Sequence, residues 1–298
     1  MEKVLITGGT GLIGKQLSSL LKDKGYDVRI LSRKASSDSP YKTFMWNINE
    51  GTIDKNAFEN LDYIIHLAGS GIADKKWSEK KKQEIIDSRV LSTNLLHKTV
   101  QELRTPLKGF LSASGIGYYG SLTSETIFEE TDTAAKDFLG EVCRLWEASV
   151  FQFQQNNIRT VALRTGIVLS NDGGALKKMK TPVITPLGNG KQYMPWIHID
   201  DMCLMYVKAI EDSSMRGVYN AVAPSHQTNS SFSKEVSKAF KRPFLPIGAP
   251  AFILKAVFGE MSTLILNGSR VSSQKIESSG FQFRFSELKD ALEAIQKE

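Results

Sequence analysis

Thr7-Gly8-Gly9-Thr10-Gly11-Leu12-Ile13-Gly14 is the stretch that decides the fold. It follows a short β-rich run, residues 4–7, and opens residues 12–24, whose apolar spacing predicts a helix stopping at Gly25. Gly9, Gly11 and Gly14 satisfy G-x-G-x-x-G, while Gly8, Gly11 and Gly14 satisfy the variant G-x-x-G-x-x-G. One glycine permits a tight turn, another lets a pyrophosphate approach the backbone, and the last lets helix and strand pack closely. The helix start adds free N–H groups and a partial positive charge that suit phosphate. Set between a strand and a helix, the pattern predicts a dinucleotide site contacted by Gly8, Thr10, Gly11, Leu12, Ile13 and Gly14.

Working outward, residues 27–32, 42–46, 63–67, 108–112 and 160–163 read as further strands, and 79–103 and 135–156 as helices. Strands alternating with helices imply βαβ units. The expected fold is α/β, a Rossmann-type doubly wound parallel sheet covered on both faces. After Gly166 the rhythm breaks into turn signals at Asn171-Asp172-Gly173-Gly174 and Leu187-Gly188-Asn189-Gly190. Residues 199–210 then look helical and 218–221 strand-like, and the tail from Ser230 is helix-rich, interrupted by Pro243, Pro246 and Pro250. The expected division is a dinucleotide-binding domain over 1–170, re-entered by 197–222, and a smaller, mostly substrate-side C-terminal subdomain over 171–298.

The second strand sets the cofactor. An acidic residue at its end would bind the ribose 2′-hydroxyl of NAD. Ser32-Arg33-Lys34 stands there instead, and two cations with a hydroxyl suit a 2′-phosphate, which predicts NADP(H).

Composition narrows the field. The 298 residues, at about 150 per domain, suggest about two domains, or one domain with a large elaboration. With 41% hydrophobic and 23% charged residues, wholesale disorder and coiled coil are excluded. Cys143 and Cys203 are too few for a disulfide framework or a cysteine zinc site, and His66, His97, His198 and His226 lack metal-ligand spacing, so no metal is expected. G-x-S-x-G and the P-loop pattern are absent. The charge balance of 38 − 32 = +6 suits an anionic ligand or mere solubility. Lys75-Lys76 and Lys80-Lys81-Lys82 read as a solvated helix start, because Trp77 is their only aromatic companion; no nucleic-acid partner is expected. No apolar run approaches the roughly 20 residues of a membrane span, and the N-terminus enters a strand at once. A soluble cytoplasmic protein is expected.

Taken together, these residues resemble short-chain dehydrogenase/reductases of the extended, sugar-nucleotide-epimerase type. The first turn, His66-Leu67-Ala68-Gly69, Ser112-Ala113-Ser114, Tyr118-Tyr119-Gly120, Leu163-Arg164-Thr165-Gly166 and Trp196-Ile197-His198-Ile199-Asp200-Asp201 occur in the family's order. The resemblance implies that Leu67, Ala68, Gly69 and Arg164 join the cofactor-binding residues. Asp137-Phe138-Leu139 through Trp146-Glu147, with Pro243-Phe244, Gly259-Glu260-Met261 and Gly280-Phe281-Gln282-Phe283, resemble an atypical "epimerase family protein" subgroup with a C-terminal domain of unknown function.

The resemblance also implies a Tyr-x-x-x-Lys pair, in which the lysine and cofactor ribose lower the tyrosine pKa for proton transfer. No such pair exists in the chain. One register puts Leu139 and Cys143 at the tyrosine and lysine positions, and a shift by one puts Phe138 and Val142 there. Three substitutes present themselves, each with a plainer role: Ser114 as the catalytic hydroxyl or a strand-end hydroxyl, Tyr119 as a phenol or a packed ring (Tyr118 likewise), and His198 as acid–base or structural histidine. Phe252, Phe258 and Met261 form a substrate wall or pack in the core. The expected function is an NADP(H)-binding, epimerase/reductase-like enzyme with altered proton transfer, its small-molecule substrate a sugar nucleotide by resemblance only. The alternative is a non-catalytic NADP(H)-binding redox sensor or regulatory protein. The 79–103 helix forms dimer interfaces in relatives, and its charged outer face here leaves a homodimer open.

Overall fold

Lys3–Thr7 (β1) sets the architecture, because it is apolar on both sides. Val4 and Ile6 enter one buried cluster and Leu5 enters another. A strand buried on both faces needs helices above and below it. The computed structural model, which describes residues 1–34 and 39–297, has that arrangement.

From β1 the chain runs through the glycine turn into α1 (Leu12–Asp23), β2 (Asp27–Ser32), β3 (Lys42–Asn47) and the short β4 (Thr52–Ile53). Next come β5 (Tyr63–His66), α2 (Glu79–Leu103), β6 (Gly109–Gly115), β7 (Ile127–Phe128), α3 (Phe138–Val150) and β8 (Thr160–Thr165). They are followed by β9 (Ile167–Leu169), α4 (Gly174–Met179), β10 (Trp196–His198), α5 (Ile199–Glu211) and β11 (Gly217–Ala221). The tail adds α6 (Asn229–Ala239), α7 (Ala251–Phe258), α8 (Thr263–Leu266), β12 (Arg270–Val271), α9 (Gln274–Ser278) and α10 (Leu288–Lys297).

The central sheet has the order β11-β8-β6-β5-β1-β2-β3-β4, parallel throughout except for β4 at its edge. From β1 the chain builds outward through β2 and β3, then returns to β5 and builds the other way. The order therefore reverses between β1 and β5, and that switch point opens a crevice at the carboxyl ends of the strands. α1 and α5 cover one face, with Leu17, Leu21, Met202 and Tyr206 meeting Val4, Ile6, Ile65 and Leu163. α2 and α3 cover the other, with Leu96, Val100, Trp146 and Val150 meeting Leu5, Ile64, Phe110 and Ala162. A third cluster, built from β9, β10, α4, α6 and α10, forms the core of a smaller C-terminal lobe.

Two surface expectations change. Lys81 is not a solvated charge: it is 8% exposed, with Nζ 2.7 Å from Ser70 Oγ and 3.0 Å from Glu84. Lys82 bridges to Glu260 of the C-terminal lobe at 2.7 Å. Both lie where the first turns of α2 meet other segments, so position overrides composition. Phe252 is 73% exposed and belongs to no core, whereas Met261 is buried. Among the described residues, no helix is long and apolar enough to cross a membrane.

Phe110 on β6 stacks on Phe153, their ring centroids 3.7 Å apart, and both rings are fully buried. Phe110→Ala leaves a cavity under the sheet and should lower the unfolding free energy by about 3–5 kcal/mol. Urea titration of both proteins measures it; a loss below about 1 kcal/mol contradicts the rigid packing of this face.

Candidate functional site

The crevice is shaped first by the Thr7 side chain. Its Oγ1 accepts the backbone N–H groups of Leu67 and Ala68, both at 3.2 Å, and lies 2.7 Å from His66 Nδ1. On the far side of the ring, Nε2 is 3.0 Å from Ser92 Oγ, whose own proton goes to backbone carbonyls of α2. Ser92 therefore accepts from Nε2–H, and Thr7 donates to Nδ1. His66 is a neutral structural histidine. Burial, with the Arg89 charge nearby, pushes its pKa down to about 3.

This clamp holds Leu67-Ala68-Gly69 against the glycine turn. Gly8 has φ +71°, and a Cβ there would stand 2.9 Å from the Leu67 carbonyl carbon. A Cβ on Gly14 would overlap the Gly8 carbonyl oxygen, and one on Gly9 would overlap Ile30. The turn can close only without side chains at these places. Gly11 caps α1 with no side-chain bond, and the first turn carries no acid. The N–H groups of Leu12 and Ile13 start the helix without intrahelical partners, since the first such bond runs from Lys15 N to Gly11 O. With Thr10 exposed beside them, these groups form a cradle fit for a pyrophosphate.

At the end of β2, Ser32 Oγ accepts the Lys34 N–H, and Arg33 and Lys34 are exposed. Arg33 borders a groove of about 550 Å³ shared with Trp46, Asn47, Glu50 and Asp54. Arg33 and Lys34 stand just past the carboxyl end of β2, the strand beside β1.

At the ends of β6, β8 and β11 the polar groups are committed to one another. Arg164 is 2% exposed and grips Glu147 with Nε and Nη2, both at 2.8 Å. Its plane lies 3.3 Å from the Tyr118 ring centre. Burial works against its charge, yet Glu147 outweighs burial and raises its pKa. The guanidinium also donates to the Tyr119 hydroxyl, which in turn donates to Asn220. Ser114 Oγ donates to Glu147 at 2.7 Å. Burial pushes the Tyr119 phenol up to about 12, Arg164 and Asn220 offsetting part of it. The structure brings Ser114, Tyr119 and Arg164 into one network, with both hydroxyl protons already given away inside it. Arg164 is there a structural cation facing a carboxylate, and its guanidinium is spent before it reaches the crevice. Glu147 has no role in the sequence reading, although a carboxylate inside the apolar stripe of α3 was its signal.

Leu139 and Cys143, on the same helix and at the tyrosine and lysine positions in one of the two registers, pack against the end of β6 and the turn after it. Cys143 Sγ is 3.6 Å from a Cβ built on either Gly115 or Gly117, and Leu139 is 3.2 Å from one on Gly117. Burial raises the Cys143 thiol to about 12. His198 lies apart from this network. It is fully buried, caps α5 by accepting the Asp200 N–H on Nδ1, and packs on Phe285. Its Nε2 has no partner among the described residues. Burial depresses its pKa, against the pull of Asp200.

His66 makes the fold acid-sensitive. Below its ordinary pKa of 6.5 the unfolded chain takes up a proton that the folded chain accepts only near pH 3. The stability it contributes is full above pH 6.5 and is lost as pH falls toward about 3. The slope is at most about 1.4 kcal/mol per pH unit. Denaturation of His66→Gln across this range should show a shallower acid limb by one proton; an unchanged limb refutes the assignment.

Comparison with known proteins agrees with this geometry. The model of the NAD dependent epimerase/dehydratase family matches residues 4–221, and a domain of unknown function (DUF1731) matches 249–295. An epimerase family protein of Staphylococcus aureus (strain NCTC 8325 / PS 47) is 34% identical over 302 residues, covering 100% of each chain. Epimerase family protein YfhF of Bacillus subtilis is 34% identical over 298 residues, 98% of this chain and 97% of the relative. The crystal structure of human epimerase family protein SDR39U1 with NADPH superposes with TM-score 0.88 at 31% identity, covering 99% of both chains. A nucleoside-diphosphate sugar epimerase from Corynebacterium glutamicum superposes with TM-score 0.79 at 28% identity, over 100% of this chain and 59% of that one. The chain belongs to the NAD dependent epimerase/dehydratase family, in the group of epimerase family proteins that carry this C-terminal domain.

Proposed function

We propose that the chain binds NADP(H) and that its chemistry does without a tyrosine–lysine proton relay. The observation that carries this is the pairing of an open glycine cradle with an apolar relay position, Leu139 and Cys143 packed on Gly115 and Gly117. Gly8, Thr10, Gly11, Leu12, Ile13 and Gly14 would hold the pyrophosphate, and Arg33 with Lys34 the 2′-phosphate. Leu67, Ala68 and Gly69 would lie along the dinucleotide. When bound, the cofactor supplies a hydride donor or acceptor. The human relative carries NADPH, which favours the phosphorylated dinucleotide. The substrate would enter between the crevice and the C-terminal lobe and exchange its proton with solvent, because Ser114 and Tyr119 are spent on Glu147 and Asn220.

The same locked network favours a second reading. A protein that only senses the NADPH/NADP⁺ ratio needs a rigid site and no proton donor, and the sealed Ser114–Glu147–Arg164–Tyr119 chain meets both conditions. It differs in requiring a partner whose affinity changes with the redox state of the bound dinucleotide.

Calorimetric titration with NADPH and with NADH tests the shared core. NADPH should bind at least about tenfold tighter, and Arg33→Ala should erase most of that ratio by weakening NADPH alone. Equal affinities in the unaltered chain, or a ratio that survives Arg33→Ala, would overturn the 2′-phosphate assignment.

A further inference from the structure

Beside the crevice lies Arg89, a half-buried cation with no carboxylate partner among the described residues. Arg89 projects from α2 toward α3, and its guanidinium stacks 4.9 Å from the Trp146 ring centre. Nη1 donates to the Ser70 carbonyl at 3.1 Å and the Ile85 carbonyl at 2.9 Å. The guanidinium carbon is 3.3 Å from where a Cβ on Gly69 would stand. The side chain therefore sits over the segment that follows β5 in the crevice wall.

Two features separate the half-buried Arg89 from the buried cations Arg164 and Lys81. Arg164 has Glu147, and Lys81 has Glu84. Burial dominates at Arg89 and lowers its pKa with no carboxylate to offset it, and the ionisable groups that feel its charge are Cys143 and the neutral His66. Its Nε and Nη2 donate to nothing among the described residues, yet neither is sealed from solvent. Donors left open to solvent on a guanidinium that the fold already holds in place are free to meet a ligand. Its neighbour, Cys143, falls at the family's lysine position in one of the two registers that the resemblance allows.

We propose that Arg89 supplies from α2 the cation missing at Cys143, and that it holds the nicotinamide-ribose half of NADP(H). This rests on the NADP(H) reading above. It gives the crevice two separate basic anchors, Arg33 at the 2′-phosphate end and Arg89 at the reactive end. The free Nε–H and Nη2–H groups donate to ribose hydroxyls, while Nη1 keeps the guanidinium fixed on the Ser70 carbonyl.

The test uses the full chain and two probes, NADPH and adenosine 2′,5′-bisphosphate, which lacks the nicotinamide half. Arg89→Gln should weaken NADPH by about tenfold or more and leave the bisphosphate unchanged. Arg89→Lys should recover part of the loss, since it restores charge without the planar fork. Thermal melting monitors folding. If the glutamine variant does not fold, Arg89→Lys alone should show a several-fold loss confined to NADPH. Equal losses for both probes would make Arg89 merely structural, and unchanged NADPH binding in either folded variant would also overturn the assignment. If the unaltered chain binds the bisphosphate but not NADPH, the inference falls with the cofactor reading; if Arg89→Gln alone has no effect, the cofactor reading survives it.

Discussion

The hydroxyl of Thr7 carries more of this site than any other single atom. It sits where β1 ends and the sheet order turns back, and it satisfies three groups at once: two backbone N–H groups of the following strand's loop and the His66 ring. Without it, Ala68 would lose its N–H partner and Leu67 would keep only the Thr7 carbonyl opposite the glycine turn. The glycines are the visible part of the cradle. Their absence of side chains has value only because Thr7, through His66 and Ser92, ties the opposite wall to α2. Such a chain of hydrogen bonds in a dry interior is stiff when every member is satisfied, and here each member is.

The second polar system does different work. Glu147 and Arg164 are a buried ion pair, and such pairs add little net stability over apolar packing while specifying geometry. Here the pair gathers α3, β8, the turn after β6 and, through Tyr119 and Asn220, the end of β11. It does so next to the relay position that Leu139 and Cys143 have turned apolar. The carboxylate that could have been acid or base is neutralised, and the hydroxyls that could have exchanged protons are donors within the network.

Much of this was legible from residue order. The glycine turn announces itself because its requirement is local: strand, three glycines, helix. The parallel sheet follows from runs such as Val4-Leu5-Ile6 and Tyr63-Ile64-Ile65, apolar on both faces. Sequence failed where partners are distant. Arg164 could be placed at a strand end, but nothing local says that a carboxylate 17 residues earlier claims it. Lys81 reads as one more lysine in a basic run until the loop after β5 folds over it. His198 reads as either an acid–base or a structural histidine until it is found capping its own helix, buried against Phe285. The two-residue strands β4, β7 and β12 exist only through their pairing and have no periodicity to read.

The C-terminal lobe is woven into the first domain. Of the eleven residues fully buried in its core, only Leu288, Ala291, Leu292 and Ile295 fall within the 249–295 stretch that matches a domain of its own. The other seven, Leu169 to Val236, come from segments on either side of β11, which meanwhile returns to the central sheet. The C-terminal stretch is therefore not a module that could be appended to another protein or shed by one proteolytic cut.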